Sequence, residues 1–341
     1  MARRRWTAVA ILALVAALAA CGDDGGTEPT AQATGTITIY SGRSESLIGD
    51  LITRFETETG INAEVRYGDT AELAALIAEE GSGSPADVFW AQDAGALGAL
   101  QDRNLFAQLP DSILDKVDAA HRSKEGRWVG ASGRVRVIAY NPELVPEADV
   151  PDAVAGLTDP KWKDKVGWAP TNGSFQIFVT AFRETKGDAA TKSWLEAMKA
   201  NGAKVFPNND AIAEAVGEGE IPLGLVNHYY LFEIKAEHPD AKIEDHFLAA
   251  GDIGGLVNVS GAGVIQSSDN AAAARRFIEF LLSPTAQTYF VSKTWEYPLV
   301  DGIEADARLP KLTELQPPTV DLSNLADLEG TLTLLKDVGL L

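Results

Sequence analysis

The chain has 341 residues, with 29 lysines and arginines, 49 aspartates and glutamates, four histidines, a single cysteine and a formal charge of −20. At roughly 100–200 residues per domain, this length predicts two domains or lobes. A surface this acidic argues against nucleic-acid partners, which need Lys and Arg to neutralise phosphates, and against electrostatic attachment to anionic lipid. One cysteine excludes an internal disulfide and any zinc site built from several cysteines.

The amino terminus has the pattern of an export signal. Three consecutive arginines precede the uncharged apolar stretch 6–20, which is shorter than the ~20 residues that span a bilayer. The stretch ends in Leu-Ala-Ala-Cys, which resembles a bacterial lipobox and implies cleavage before Cys21 and lipidation of its thiol; the alternative is a signal peptide that happens to contain a cysteine. We therefore predict a lipoprotein signal peptide over 1–21 and a flexible tether over 22–35.

Short strands then alternate with amphipathic helices. Strands are predicted at 36–40, 61–67 and 86–90. Between them lie a helix that stops at Gly60 and a second helix that Asp69 or Thr70 can cap. This alternation predicts a parallel sheet with helices on both faces, in which ligands bind beyond the carboxyl ends of the strands. The loops that converge at those ends are 41–44, 68–70 and 91–94.

A second α/β unit follows. Its predicted elements are strands at 128–140, 166–168, 204–206 and 221–226, a β-rich run at 256–265, and helices at 188–201, 211–216, after 227–230, at 270–282 and at 325–335. We therefore predict an α/β fold of two lobes, each a mainly parallel sheet flanked by helices, joined by extended hinge strands. The predicted first lobe comprises 36–134 and 260–305, and the second comprises 135–259 and 306–341.

No motif of a common enzyme chemistry is present. The sequence lacks the G-x-S-x-G, H-E-x-x-H, P-loop and C-x-x-C patterns, and its glycine-rich stretches do not match the dinucleotide fingerprint. Carboxylates are abundant, but no spacing nominates a catalytic pair, and solvated surface positions account for them. The sequence therefore predicts a protein that is not an enzyme.

Two consecutive tyrosines, Tyr229 and Tyr230, stand where the predicted strand 221–226 gives way to a helix. Adjacent helical residues point ~100° apart, so both hydroxyls can face one cleft only near the helix start. For such a pair taken alone, core packing with the hydroxyls at the rim is the more common arrangement. The functional alternative is a hard trivalent cation, because phenols with a pKa near ~10 lose both protons at neutral pH only to a strong Lewis acid such as Fe³⁺.

Seven segments, taken in order, carry a family resemblance. They are Ile-Tyr-Ser-Gly-Arg at 39–43, Ser-Pro-Ala-Asp-Val-Phe at 84–89, Ser-Gly-Arg-Val-Arg-Val at 132–137, Pro-Lys-Trp-Lys-Asp-Lys at 160–165, Leu-Val-Asn-His-Tyr-Tyr at 225–230, Ser-Gly-Ala-Gly at 260–263 and Trp-Glu-Tyr-Pro-Leu at 295–299. With them the chain resembles the bacterial ferric-ion-binding proteins, the periplasmic solute-binding components of iron ABC importers. The resemblance implies a two-lobed type II periplasmic-binding fold and iron-ligating phenolates at Tyr229 and Tyr230.

The first lobe departs from the family pattern. Many relatives have a His where this chain has Ser44, some have a Glu where it has Gln92, and others have a third Tyr where it has Phe175. Two phenolates cannot fill six positions around Fe³⁺. The resemblance therefore implies a bound carbonate, phosphate or other small anion, or a chelator.

The sequence offers groups that suit an anion. Residues 172–174 precede a helix, where free backbone N–H groups favour negative charge, and the guanidinium of Arg43 suits a planar anion such as carbonate. Turn formation or helix capping is the alternative role for such polar residues. The anion-binding residues implied by these features and by the resemblance are Arg43, Asn172, Gly173, Ser174, Asn209 and Asn227. Additional candidate contacts are Ser44, Gln92 and Asp93.

The sequence thus predicts a lipid-anchored, extracytoplasmic, monomeric solute-binding protein on the outer face of the cytoplasmic membrane or in the periplasm. It would capture Fe³⁺ with a synergistic anion and deliver it to the permease of an ABC importer. Two alternatives remain open at this point. The site can bind an iron chelate or a metal-free phosphonate- or carboxylate-type anion, or the same fold can serve as a sensor subunit.

Overall fold

The computed structural model describes residues 35–341; the predicted signal peptide, Cys21 and the tether up to residue 34 lie outside the described residues. The strands are β1 (Gly35–Ser41), β2 (Ile61–Tyr67), β3 (Val88–Ala91), β4 (Val129–Tyr140), β5 (Val166–Trp168), β6 (Lys204–Val205), β7 (Leu223–Asn227), β8 (Glu244–His246), β9 (Val257–Val264) and β10 (Tyr297–Pro298). The helices are α1 (Glu45–Thr59), α2 (Thr70–Glu80), α3 (Ala94–Asp102), α4 (Asp111–Leu114), α5 (Gly173–Lys186), α6 (Asp188–Ala200), α7 (Asn209–Gly217), α8 (Tyr230–Glu237), α9 (Ala271–Leu281), α10 (Pro284–Lys293), α11 (Leu312–Leu315) and α12 (Leu328–Val338).

The strands follow the order β2-β1-β3-β9-β4-β7-β5-β6, and β8 and β10 pair with β4. Strands β2, β1 and β3 are mutually parallel, as are β7, β5 and β6. Strand β9 runs antiparallel between β3 and β4. Strand β4 pairs with β9 up to Val135 and with β7 from Arg136 onward, so it passes from one set of strands to the other. This two-lobed α/β arrangement is the predicted fold class.

Local chemistry explains the element boundaries. Helix α1 buries Ile48, Leu51 and Phe55 on one face and ends at Gly60, whose φ of 72° is accessible to glycine without strain. The Asp69 carboxylate caps α2 by accepting the Ala71 backbone N–H at 2.8 Å. Both boundaries agree with the predictions from sequence.

Some predicted boundaries were wrong. Strand β1 begins at Gly35, which the prediction gave to the tether. The last helix covers Leu328–Val338 and not 325–335, because Asp327 accepts the Gly330 backbone N–H at 3.0 Å and starts the helix there. The preceding residues, Leu322–Ala326, form a separate 3₁₀ turn.

Two packed regions flank the passage of β4 between its partners. The largest cluster of buried apolar side chains surrounds β1, β3 and β9 and extends to β5 and β7 through Trp168 and Leu223. A smaller cluster in the second set of strands includes Val137, Ile212, Val226 and Tyr230. The lobe limits given above stay a prediction. None of the helices within residues 35–341 combines the length and the apolar character needed to cross a bilayer.

Candidate functional site

A cavity of about 300 Å³ opens where the loops after β1 and β3 face the start of α8. We call it the tyrosine cavity. Five of the residues singled out from sequence line it, namely Arg43, Ser44, Gln92, Tyr229 and Tyr230. The other lining residues are Ser46, Leu47, Asp210, Glu233, Thr294 and Glu296. The fold therefore brings the tyrosine pair together with loops more than a hundred residues away.

The tyrosine pair sits at the end of β7. Tyr229 precedes the first residue of α8 with φ −69° and ψ −21°, and the two ring centroids lie 4.5 Å apart. Tyr230 is 9% exposed and packs in the smaller apolar cluster, so this ring both fills the core and lines the cavity. Burial raises the pKa of both phenols, although the Arg134 charge partly offsets this for Tyr229. Both are therefore neutral at pH 7 unless a cation displaces their protons.

The residues before the pair hold it in place. The Asn227 side-chain amide donates to the Tyr229 hydroxyl at 3.4 Å. The buried His228 ring accepts the Val135 backbone N–H at Nδ1, at 3.2 Å, and donates from Nε2 to the Trp295 carbonyl at 2.8 Å. Burial lowers the pKa of His228 to about 4, so the ring is neutral at pH 7 and keeps both bonds.

Arg43 forms a bidentate ion pair on the opposite wall. Its Nη1 and Nη2 donate to the two Glu296 carboxylate oxygens at 2.8 and 2.7 Å, and the two side chains are only 1% and 2% exposed. Burial alone would raise the pKa of Glu296, but Arg43 holds it at about 2. Of the three guanidinium nitrogens of Arg43, Nε alone has no hydrogen-bond partner within residues 35–341. Anion binding by Arg43 stays a prediction and depends on that one nitrogen.

Two further arginines, which the sequence analysis did not single out as site residues, lie behind the cavity. Arg134 is buried, donates to the Gln92 carbonyl and lies 3.8 Å from Glu296. Arg136 is also buried and, within residues 35–341, has no carboxylate partner. Burial lowers the pKa of Arg136 to about 10, and the neighbouring Tyr229 and Tyr230 oppose that shift. These buried cations favour the anionic form of the phenols.

The predicted anion residues on α5 and α7 form their own hydrogen-bonded cluster. The Asn172 Oδ1 caps α5 by accepting the Ser174 N–H at 3.0 Å and its hydroxyl at 2.7 Å, as the capping alternative requires. Asn209 donates to the Ser174 hydroxyl at 2.9 Å, and its own Oδ1 is buried with no partner in the described part of the chain. Arg136 reaches the same hydroxyl at 3.4 Å. An anion role for this cluster stays a prediction.

Two predicted residues lie elsewhere. Gly173 and Asp93 line a second cavity of about 540 Å³ between α2, α3 and the start of α5. The Asp93 carboxylate accepts the Ala96 N–H at 3.2 Å and caps α3, while burial raises its pKa despite the nearby Arg134. Neither residue lines the tyrosine cavity.

Sequence reasoning missed the three carboxylates that line the cavity, Asp210, Glu233 and Glu296. Burial, together with the charges of Asp210 and Glu296, raises the pKa of Glu233 to about 7. The signal was available, because residues three and four positions apart share a helix face and Glu233 follows the tyrosines at these spacings. Within residues 35–341, no three His, Cys, Asp or Glu side chains form a group that could hold a metal ion.

A two-lobed α/β body with a polar cavity between loops from distant parts of the chain is the architecture of a solute-binding protein. Residues 83–322 match the family described as bacterial extracellular solute-binding protein. The chain belongs to this family.

Three similar proteins are informative. The Fe(3+)-binding periplasmic protein of Serratia marcescens is 32% identical over 308 residues, which cover 89% of this chain and 90% of that protein. Iron-bound HitA from Pseudomonas aeruginosa is 36% identical with a TM-score of 0.83, over 89% of this chain and 99% of that chain. A Trichodesmium protein in complex with iron and citrate is 30% identical with a TM-score of 0.79, over 89% and 99%.

Proposed function

We propose that this protein captures ferric iron together with a small anion in the tyrosine cavity and delivers it to the permease of an ABC importer. The observation that carries the proposal is the pair of buried phenols, with ring centroids 4.5 Å apart, on a cavity wall. The similarity to a Fe(3+)-binding periplasmic protein and to iron-bound HitA supports it. The family is one of solute-binding proteins, and we infer that this protein is not an enzyme.

The cavity suits a cation that can displace phenolic protons. Burial raises the pKa of Tyr229 and Tyr230, so weak Lewis acids leave them protonated, whereas Fe³⁺ strongly prefers anionic oxygen donors. Once the phenolates form, the buried Arg134 and Arg136 stabilise their negative charge. This combination favours a trivalent hard cation over a divalent one.

The metal would need donors beyond the two phenolates. A carbonate, phosphate or citrate can fill the remaining positions, and the iron and citrate in the Trichodesmium protein are consistent with such a ligand. We propose that the anion contacts two groups. One is the Arg43 Nε, which has no hydrogen-bond partner within residues 35–341, and the other is the Asn227 side-chain amide, which donates to the Tyr229 hydroxyl. Closure of the two lobes would cover the metal and exclude water, and the permease would open them for release.

Export and anchoring belong to the same proposal. The apolar stretch 6–20 followed by Cys21 supports secretion and attachment of the monomer to the outer face of the membrane through lipid. A soluble body on a tether keeps the captured iron close to the permease. The family match supports this partnership.

A ferric titration tests the function. Adding ferric nitrilotriacetate to the iron-free protein in bicarbonate buffer should produce a visible phenolate-to-iron charge-transfer band that saturates at one iron per protein. Tyr229→Phe and Tyr230→Phe should each shift or weaken the band, and the double variant should abolish it. Tyr140→Phe, at the far end of β4, should behave like the wild type. A wild-type protein that stays colourless and gains no thermal stability from the iron would refute the proposal.

A further inference from the structure

Glu233 lies on the same short helix as the tyrosine pair. It follows Tyr229 by four residues and Tyr230 by three, which places it one turn further along the same face of α8. Its side chain lines the tyrosine cavity. Within residues 35–341, its carboxylate has no hydrogen-bond or ion-pair partner. The helix therefore presents two phenols and one unengaged carboxylate to a single space.

We propose that Glu233 is a third protein ligand of the ferric ion, so that α8 and the residue before it supply every protein donor. This assignment rests on the proposed function and deepens it. Two phenolates and one carboxylate carry three negative charges and neutralise Fe³⁺ without any residue from the facing loops. On the facing loops, the charged residues Arg43 and Glu296 pair with each other, and the site candidates Ser44 and Gln92 are neutral.

The surroundings of Glu233 fit a cation rather than an empty cavity. Its carboxylate is partly buried and shares the cavity with the carboxylates of Asp210 and Glu296. A trivalent cation beside it reverses the sign of that local field. Glu296 cannot serve instead, because both of its oxygens accept from Arg43 at 2.7–2.8 Å.

Asp210 is the third carboxylate on the cavity wall, beside Glu233 and Glu296, and we place it outside the ligand set. It belongs to the first turn of α7, where its carboxylate accepts its own backbone N–H and benefits from the helix N-terminus. It also sits on a different helix from the phenols. Asp210 therefore adds negative charge near the metal, but α7 sets its position, whereas the tyrosines stand at the start of α8.

The difference between Glu233 and Asp210 gives the test. Ferric ion, supplied as the nitrilotriacetate complex, is titrated into iron-free full-length protein, and affinity is measured by competition with citrate. Glu233→Gln should lower the ferric affinity at least about 100-fold. Loss of a residue that only hydrogen-bonds to a metal ligand costs about 10–100-fold, so a larger effect indicates a direct ligand. The charge-transfer band should move to longer wavelength, because iron with fewer anionic donors accepts electrons more readily. Asp210→Asn should lower the affinity by less than Glu233→Gln does and leave the band in place. Glu237→Gln, one turn further along α8 and exposed, should match the wild type.

Each result has one meaning. If Glu233→Gln binds iron as tightly as the wild type with an unmoved band, the Glu233 assignment is overturned and the proposed function stands. If Glu233→Gln and Asp210→Asn weaken binding equally with the band in place, the carboxylate acts only through its charge, and the assignment is again overturned. A wild-type protein that binds no iron overturns both proposals. The iron-free Glu233→Gln variant should unfold at a temperature no lower than that of the wild type, which separates loss of a ligand from loss of structure.

Discussion

The Arg43–Glu296 pair provides a quantitative test of how the cavity wall is held. Glu296→Gln removes the negative charge from a bidentate contact whose two side chains are 1% and 2% exposed. It leaves Arg43 buried without a counter-charge. The same holds for Arg134, whose Nη1 lies 3.8 Å from the Glu296 carboxylate. The Ser132 and Thr294 hydroxyls, which donate to Glu296 at 3.2 and 2.8 Å, lose a charged acceptor as well.

Two independent estimates give the same size of effect. Breaking one partner of a buried ion pair costs roughly 3–5 kcal/mol, because the remaining charge stays buried. Lowering the pKa of Glu296 from 4.5 to about 2 corresponds to about 3 kcal/mol at about 1.4 kcal/mol per unit. A carboxylate with a depressed pKa contributes stability above its unfolded pKa and loses that contribution as the pH falls through its folded pKa. The wild type should therefore lose this stabilisation between pH 5 and about pH 2.

Urea unfolding of iron-free protein at pH 7 and pH 3, followed by tryptophan fluorescence, measures both effects. Glu296→Gln should lower the unfolding free energy by about 3 kcal/mol at pH 7, and the deficit should shrink at pH 3. Glu304→Gln disrupts an exposed ion pair with Lys311, whose side chains are 62% and 78% exposed, and should cost less than about 1 kcal/mol at either pH. An unfolding free energy for Glu296→Gln within about 1 kcal/mol of the wild type at pH 7 would refute this reasoning.

Two other substitutions test the core. Both Asp245 oxygens are buried without a partner in the described part of the chain, and burial raises the pKa of this carboxyl well above its usual value. Folding therefore favours the protonated form of Asp245, and stability falls as the pH rises above the pKa of this carboxyl in the unfolded chain. Asp245→Asn should raise Tm at pH 7 but not at pH 3, whereas Asp240→Asn, at an exposed position, should leave Tm unchanged at both. An unchanged Tm for Asp245→Asn at pH 7 would contradict this. Gly261→Ala places a Cβ 2.8 Å from the Val129 backbone carbonyl and should cost about 1–3 kcal/mol in urea unfolding, whereas the Cβ of Gly83→Ala meets nothing within 4 Å and should be tolerated. Equal costs for the two glycine variants would show that space at β9 is not limiting.

Local patterns predicted the elements better than their pairing. The stop at Gly60 and the cap at Asp69 are carried by residues that act on their immediate neighbours, so both were visible in the sequence. The antiparallel insertion of β9 between β3 and β4 was not, because β9 meets β3 across about 170 residues and no local pattern encodes that register. The prediction therefore included a β-rich run at 256–265 but not its antiparallel pairing with β3 and β4.

The site divides in the same way. Tyr229 and Tyr230 are adjacent in sequence, so their placement at the start of a helix was predictable from the strand that precedes them. The pairing of Arg43 with Glu296 joins residues 253 positions apart. The sequence analysis predicted a small anion as the partner of Arg43, whereas in the fold its guanidinium pairs with the Glu296 carboxylate. Glu233 follows the tyrosines by three and four residues on α8, so helical spacing alone predicts that it shares their face.

The pairing of Arg43 also changes how the two walls of the cavity are related. His228 bonds to the Trp295 carbonyl, and the next residue, Glu296, holds Arg43 in the loop after β1. Because His228 is neutral and the ion pair is buried, this path from the tyrosine loop to the facing loop keeps its contacts at neutral pH. The Glu296 carboxylate is thus engaged in connecting the walls through Arg43, and the negative charge that a trivalent cation needs has to come from groups with no such engagement. Those groups are the phenols and the carboxylate of α8, which is why the ligand set is expected on one helix.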